Sequence, residues 1–107
     1  MRVLVLRNCD TCRKALAALR AAGHEVEPVE IGGGIPEADR ASILAAHGEA
    51  ALNRASATWR GLDAAERARP AADLLADHPK LMKRPMIAVE GGWLKGWTPE
   101  VRARLGL

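Results

Sequence analysis

The sequence predicts an α/β fold, a mixed four-stranded sheet flanked by helices and split by a helical insert. Three observations carry that reading. Short β-prone apolar runs occur near both ends of the chain, and the middle carries only helix signals. Both cysteines sit where the first apolar run gives way to a helical pattern.

Val3-Leu4-Val5-Leu6 is short, continuous and apolar, as a strand buried on both faces should be. From Thr11 the pattern turns helical. Ala15, Leu16, Leu19 and Ala22 share a face, Arg13, Lys14 and Arg20 fall elsewhere, and Gly23 is placed to stop the helix. Glu25 to Ile31 alternates polar and apolar like a second strand, with Pro28 assigning it to an edge or a strand end. Gly32-Gly33-Gly34 breaks the pattern. Pro36 opens a helix whose apolar face holds Ile43 and Leu44, and Gly48 ends it. Glu49 to Asn53 reads as a further helical turn, and Asp63-x-x-Glu66 as a capping box. Pro70 opens a segment through Leu74 and Leu75 that stops at His78-Pro79. Strand character returns at Pro85 to Val89. Gly91-Gly92 marks a hairpin turn, and Trp93-Leu94-Lys95 runs back. Thr98 caps a last helix, with Pro99 in its first turn and Glu100 near the positive end of its dipole. The order is β-α-β, helical insert, β-β-α, the insert dividing the halves of a thioredoxin-like sheet. One domain over 1–107 thus has its sheet part at 1–34 and 80–107 and its insert at 35–79.

Composition bounds the rest. A chain of 107 residues makes one domain, burying about 60–70% of its unfolded surface. Apolar residues make up 49%, but there is no Phe or Tyr and only Trp59, Trp93 and Trp97. The core must come from Leu, Ile, Val, Met and Ala, whose small side chains suit helices packed closely on a sheet. The charge of +3 is interspersed, which describes a solvated surface rather than a nucleic-acid footprint. The chain opens directly on a strand-like run, with no leader before it and no apolar stretch of membrane-span length. The expectation is a cytoplasmic protein that touches neither membrane nor nucleic acid. In that compartment a close cysteine pair is redox-active or metal-binding rather than a structural staple.

Cys9-Asp10-Thr11-Cys12 carries the chemistry. A Cys-x-x-Cys at a strand-to-helix junction is the mark of a thiol redox site. The unpaired N–H groups and dipole of a helix start favour an anion, so Cys9 should ionise readily. Arg7, Arg13 and Lys14 would assist and Asp10 would oppose. Cys12, one turn on, shares the buried face of Ala15, Leu16 and Leu19. Cys9 would attack and Cys12 would resolve the mixed disulfide. The alternatives are that Cys12 is a small core hydrophobe beside one free thiol, or that the pair binds zinc. Zinc wants four ligands, and His24, His47 and His78 lack ligand spacing to the pair, so no metal is expected. Those histidines read as loop or helix-end residues.

With the cysteines, the insert and Lys83-Arg84-Pro85 in view, the chain resembles the ArsC (arsenate reductase) family, which includes the Spx regulators and YffB-like proteins. The resemblance spans almost the whole length. Asn8-Cys9-Asp10-Thr11 with Lys14-Ala15, Leu52-Asn53 with Thr58-Trp59-Arg60-x-Leu62, and His78-Pro79 with Leu81 to Ile87 are similar to the YffB-like branch. The resemblance implies an ArsC-type thioredoxin-like fold, Cys9 as the catalytic thiol, Arg84 beside it and Pro85 as a cis proline facing it. It implies a substrate pocket drawing on Asn8, Thr11, Arg54, Pro85 and Lys95. An arginine near a thiolate stabilises the anion and can fork to an oxyanion or carboxylate. Arsenate reductases proper use three such arginines. Arg84 matches one, and Arg54, between Asn53 and Ala55, lies one position from the second. Lys95 and Gly96 occupy the region of the third. Cys12 is Spx-like on a YffB-like body.

Three functions follow. The first is a thiol-dependent oxidoreductase that attacks a disulfide, a glutathione adduct or an oxyanion. Cys12 or glutathione resolves the intermediate, with glutaredoxin or thioredoxin as reductant and no tightly bound cofactor. The second is glutaredoxin-linked arsenate reduction. The third is an Spx-like redox switch binding RNA polymerase, for which exposed Trp93 and Trp97 would supply an interface; packing of the last helix on the sheet is the alternative role for those rings.

Overall fold

A computed structural model describes all 107 residues. It divides into two compact units, one of Met1–Glu30 and Arg84–Leu107, the other of Ile31–Lys83.

The first unit is built on a four-stranded sheet. Its strands are β1 (Arg2–Val5), β2 (Glu27–Glu30), β3 (Met86–Val89) and β4 (Gly92–Lys95), in the spatial order β2-β1-β3-β4. β1 runs parallel to β2 and antiparallel to β3, and β3 pairs antiparallel with β4. The parallel pair needs a crossover, supplied by helix α1 (Asp10–Ala21). β2 is shorter than its alternating pattern and lies at an edge, where Pro28 deprives no neighbour of a ladder donor. The β3–β4 turn is Glu90-Gly91, with Gly91 at φ 83°, and Gly92 already pairs with Val89. The expected Gly91-Gly92 turn is therefore one residue late.

α1 stops at Ala21 and is capped by Ala22 rather than Gly23. Gly23 follows at φ 91°, a conformation that costs glycine least. α6 (Pro99–Arg104) begins where Thr98 Oγ1 accepts the Val101 N–H at 3.2 Å. Strand alternation places Val3, Val5 and Ile87 on one face of the sheet. There they pack with Cys12 and Leu19 of α1 and with Val101 and Leu105. Leu4 and Met86, paired in register, are fully buried on the opposite face.

The second unit is helical. It contains α2 (Glu37–His47), α3 (Ala57–Arg60), α4 (Ala64–Arg67) and α5 (Ala71–Asp77). The helical turn expected at Glu49–Asn53 is a 3-10 turn at Gly48–Ala51, and the chain extends immediately after it. Leu52 then forms an antiparallel bridge with Met82, flanked by Asn53 N–H to Leu81 O at 2.7 Å and Lys83 N–H to Ala51 O at 2.8 Å. Ile43, Leu74, Leu75, Leu81 and Met82 are buried. No helix of the chain is long and apolar enough to cross a membrane.

Candidate active site

Cys9 is the N-cap of α1. Its backbone is extended (φ −110°, ψ 109°), and its sulfur accepts the Cys12 N–H at 3.3 Å. The thiol thus fills the place that Ser or Asp usually takes at a helix start. The turn is set by Cys9 N–H to Leu6 O at 3.3 Å and by the first helical bond, Arg13 N–H to Cys9 O, at 3.0 Å. Cys12, one turn on, is 1% exposed within the apolar cluster between α1 and the sheet, whereas Cys9 is half-buried at its margin. Both are free thiols.

The two sulfurs are electrostatically unlike. Partial burial pushes the Cys9 thiol up. Hydrogen bonds from the Cys12 thiol and N–H and from the Arg84 guanidinium outweigh it, and the net shift is below the ordinary thiol range. Burial pushes Cys12 the other way, to about 12, and donating its proton to Cys9 adds to that. A backbone bond from Leu6 and the charge of Arg84 oppose the rise only in part. The two thiols are therefore linked, Cys9 being the one that ionises first and Cys12 the one that keeps its proton.

Arg84 reaches this pair from the segment before β3. The Arg84–Pro85 bond is cis, as the resemblance implies. Pro85 is buried, and its carbonyl accepts the Gly96 N–H at 2.8 Å, which ties the segment to the chain beyond β4. Cys9, Cys12 and Arg84 thus come together, with Pro85 adjoining Arg84.

The remaining candidates are placed differently. Asn8 and Thr11 flank Cys9 and are exposed. Lys95 pairs with Met86, so it belongs to the sheet face of Leu4 and Met86, not the one on which Cys12 packs. Arg54 belongs to the helical unit. There its guanidinium lies 3.5 Å from Glu49 and 5.4 Å from the Trp59 ring centroid. Trp93, for which the sequence allows an exposed or a packed ring, is only 9% exposed, because β4 turns it onto the buried face shared with Met86; Trp97 packs against the α1–sheet cluster. His24 bonds the Leu105 carbonyl, His47 ends α2 and His78 follows α5. No group of three metal-ligating side chains occurs.

Arg13 is more than the nearby charge that its position in the sequence suggests. Its guanidinium donates to the Arg7 carbonyl at 3.2 Å and also to the Asp10 carboxylate. The signal was present, since Asp10 and Arg13 are three residues apart on a helix.

Comparison with known proteins extends the picture. The sequence profile of the ArsC family matches residues 4–104. An uncharacterized protein of Haemophilus influenzae is 32% identical over 103 residues, covering 87% of each chain. The solved structure of a YffB protein superposes with a TM-score of 0.87 at 29% identity, over 97% of this chain and 96% of that one. An arsenate reductase (ArsC) related protein from Brucella melitensis superposes with a TM-score of 0.75 at 26% identity, over 96% and 91%.

Proposed function

This chain belongs to the ArsC family, and from that premise we propose that it is a thiol-dependent oxidoreductase whose nucleophile is the Cys9 thiolate. One observation carries the reading: Cys9 caps α1 as a thiol held below its ordinary range by Cys12 and Arg84. The thiolate is the attacking species in disulfide exchange, and a lowered thiol supplies more of it at a given pH.

The chemistry runs in balanced steps. Cys9 Sγ attacks a disulfide, such as a glutathione adduct. A Cys9–sulfur bond forms, the substrate sulfur–sulfur bond breaks, and the substrate leaves as a thiolate that takes a proton from solvent. Cys9 no longer carries charge, so two of the influences holding Cys12 near 12, its hydrogen bond to Cys9 and the Cys9 charge, disappear. Cys12, still raised by burial but less so, gives its proton to solvent, and its sulfur attacks Cys9 Sγ. This forms the Cys9–Cys12 disulfide and expels the second thiol. Two glutathione molecules, or a reduced thioredoxin, then return the pair to dithiol. Alternatively glutathione attacks the mixed species directly, and Cys12 serves only as the proton donor that holds the thiolate.

Arg54 pairs with Glu49 and Trp59 within its own unit, and within the sheet unit the arginine acting on Cys9 is Arg84, an incomplete match to three arginines that favours a thiol substrate over arsenate. Reduction of a glutathione mixed disulfide, coupled to glutathione reductase, tests the proposal. Cys9→Ser should fall to background, whereas Cys12→Ser should retain turnover only through the glutathione route. Undiminished turnover by Cys9→Ser would refute the assignment. Arsenate in place of the disulfide should give no glutathione oxidation.

A further inference from the structure

We propose that Arg13 is a positioning residue for Cys9: it pins the turn that presents the thiol and shields that thiol from the neighbouring Asp10 carboxylate. The inference rests on the reading of Cys9 as the nucleophile and adds a residue which that reading does not use.

Three bonds converge on the seven residues from Arg7 to Arg13. The Arg13 N–H closes the first helical turn on the Cys9 carbonyl at 3.0 Å. Its Nη1 reaches back to the Arg7 carbonyl at 3.2 Å, and its Nη2 meets Asp10 Oδ1. Side chains on a helix lean toward its N-terminus, so an arginine at this position is aimed at the turn before the helix. Arg7 and Asn8 form that turn and are exposed, and the turn is also tied by Cys9 N–H to Leu6 O at 3.3 Å. Arg13 therefore supplies a second closure on the cysteine side of the loop.

The electrostatic half concerns Asp10. It is the residue after Cys9 and the sole carboxylate between Arg7 and Lys14. A bare negative charge there would oppose a thiolate on Cys9. The other charged and titratable groups around Cys9 are Arg7, Lys14 and Cys12 on the turn and helix, and Arg84 from the segment before β3. One guanidinium nitrogen of Arg13 on Asp10 offsets the one unfavourable charge and leaves the others acting. The pair is exposed, with side chains 59% and 80% accessible, so the effect is moderate and depends on salt.

The test is the pH dependence of Cys9 alkylation by iodoacetamide at low ionic strength, which reads the thiolate without any assay of turnover. Arg13→Ala should cut the fraction of Cys9 present as thiolate near the midpoint about two- to threefold, the scale of one exposed charge. Asp10→Asn should raise it. Asp10→Asn with Arg13→Ala should return it to the wild-type midpoint. Arg13→Lys should keep most of the charge effect but lose the fork, so its alkylation midpoint should lie between wild type and Arg13→Ala. Added salt at 1 M should erase these differences. An Arg13→Ala midpoint identical to wild type at low salt, or a double variant no better than Arg13→Ala, would overturn the proposal. An ordinary thiol midpoint for wild-type Cys9 would instead overturn the reading of Cys9 as nucleophile, so the two failures are distinguishable.

Discussion

The two units of this chain hold themselves together by different means. In the sheet unit, backbone ladders and one apolar cluster dominate, and α1 runs for 12 residues with its buried face on the strands. In the helical unit, α3 and α4 have 4 residues each, too few to form on propensity alone. Each is fastened at its start by a side chain: Ser56 Oγ accepts the Trp59 N–H at 3.1 Å, and Asp63 Oδ1 accepts the Glu66 N–H at 2.8 Å. The end of α3 is closed by Arg67, which donates to the carbonyls of Trp59 and Arg60, both at 3.2 Å. The guanidinium of Arg67 also lies 5.6 Å from the Trp59 ring centroid. A reactive group that must keep its geometry belongs on the first kind of scaffold. Cys9 caps the longest helix of the chain, which is anchored through Cys12, Ala15 and Leu19.

The sharpest way to break this comparison is to hollow out the sheet unit. Leu19 is fully buried, and Leu19→Ala should cost about 2–5 kcal/mol, the range for a deleted core leucine that leaves a cavity. Urea denaturation followed by circular dichroism measures it. A cost under about 1 kcal/mol would mean that the α1–sheet cluster is not what holds α1.

The next effect belongs to Cys12 and appears in alkali. Its folded thiol is pushed up to about 12, chiefly by burial, whereas an unfolded cysteine titrates near 8.5. The unfolded state therefore loses its proton first. Stability from Cys12 is complete below about pH 8.5 and drains away as pH climbs toward 12. Cys9 has the opposite sign: its lowered thiol stabilises the fold above the unfolded value and loses that contribution as pH falls. Stability measured from pH 8 to pH 10 should decline in wild type and be flatter in Cys12→Ser. Parallel slopes would show that Cys12 is not the group responsible.

The same contrast explains what the sequence could and could not tell. Apolar runs and helical periodicity located β1, α1, β3, β4 and α6, because in the sheet unit burial dictates the elements. Cys9 was legible because helix-start chemistry is local. The helical turn after α2 was legible to within two residues, at Gly48–Ala51, but the Leu52–Met82 bridge was not, because it joins segments thirty residues apart that show no alternating pattern. For Trp93 the sequence leaves both an exposed interface ring and a packed one open, and packing holds, because β4 is so short that one residue of register decides which face a side chain takes. The partners of Arg54, Glu49 of the 3-10 turn and Trp59 of α3, are set by packing within the helical unit, which no motif encodes.

Cap deletions compare the units at smaller scale. Asp63→Ala in the helical unit and Thr98→Ala in the sheet unit each remove one N–H acceptor. Each should cost about 1 kcal/mol. Because α4 has little besides its cap and its arginines while α6 also packs through Val101, Asp63→Ala should speed amide exchange in α4 more than Thr98→Ala does in α6. Equal protection losses would erase the distinction between a capped and a packed helix.

The smallest effect is expected at Arg69, which bridges Glu66 at 2.8 Å and Asp77 at 2.5 Å, with His78 Nε2 3.4 Å from the same Glu66 oxygen. The hydrogen bond to Arg69 is the main reason both carboxyls sit below their ordinary range. Their sign is that of lowered acids: the stabilisation is present above the unfolded carboxylate values near 4 and is lost as pH falls through the lower folded values. Arg69→Gln should therefore lower the melting temperature slightly at pH 7, less in 1 M salt, and progressively less as acid protonates the two carboxyls. The groups are solvent-facing, and exposed ion pairs are worth little. A salt-independent loss as large as that of Leu19→Ala would place the bridge at the heart of the helical unit, and the division between a packed unit and a fastened one would fail there first.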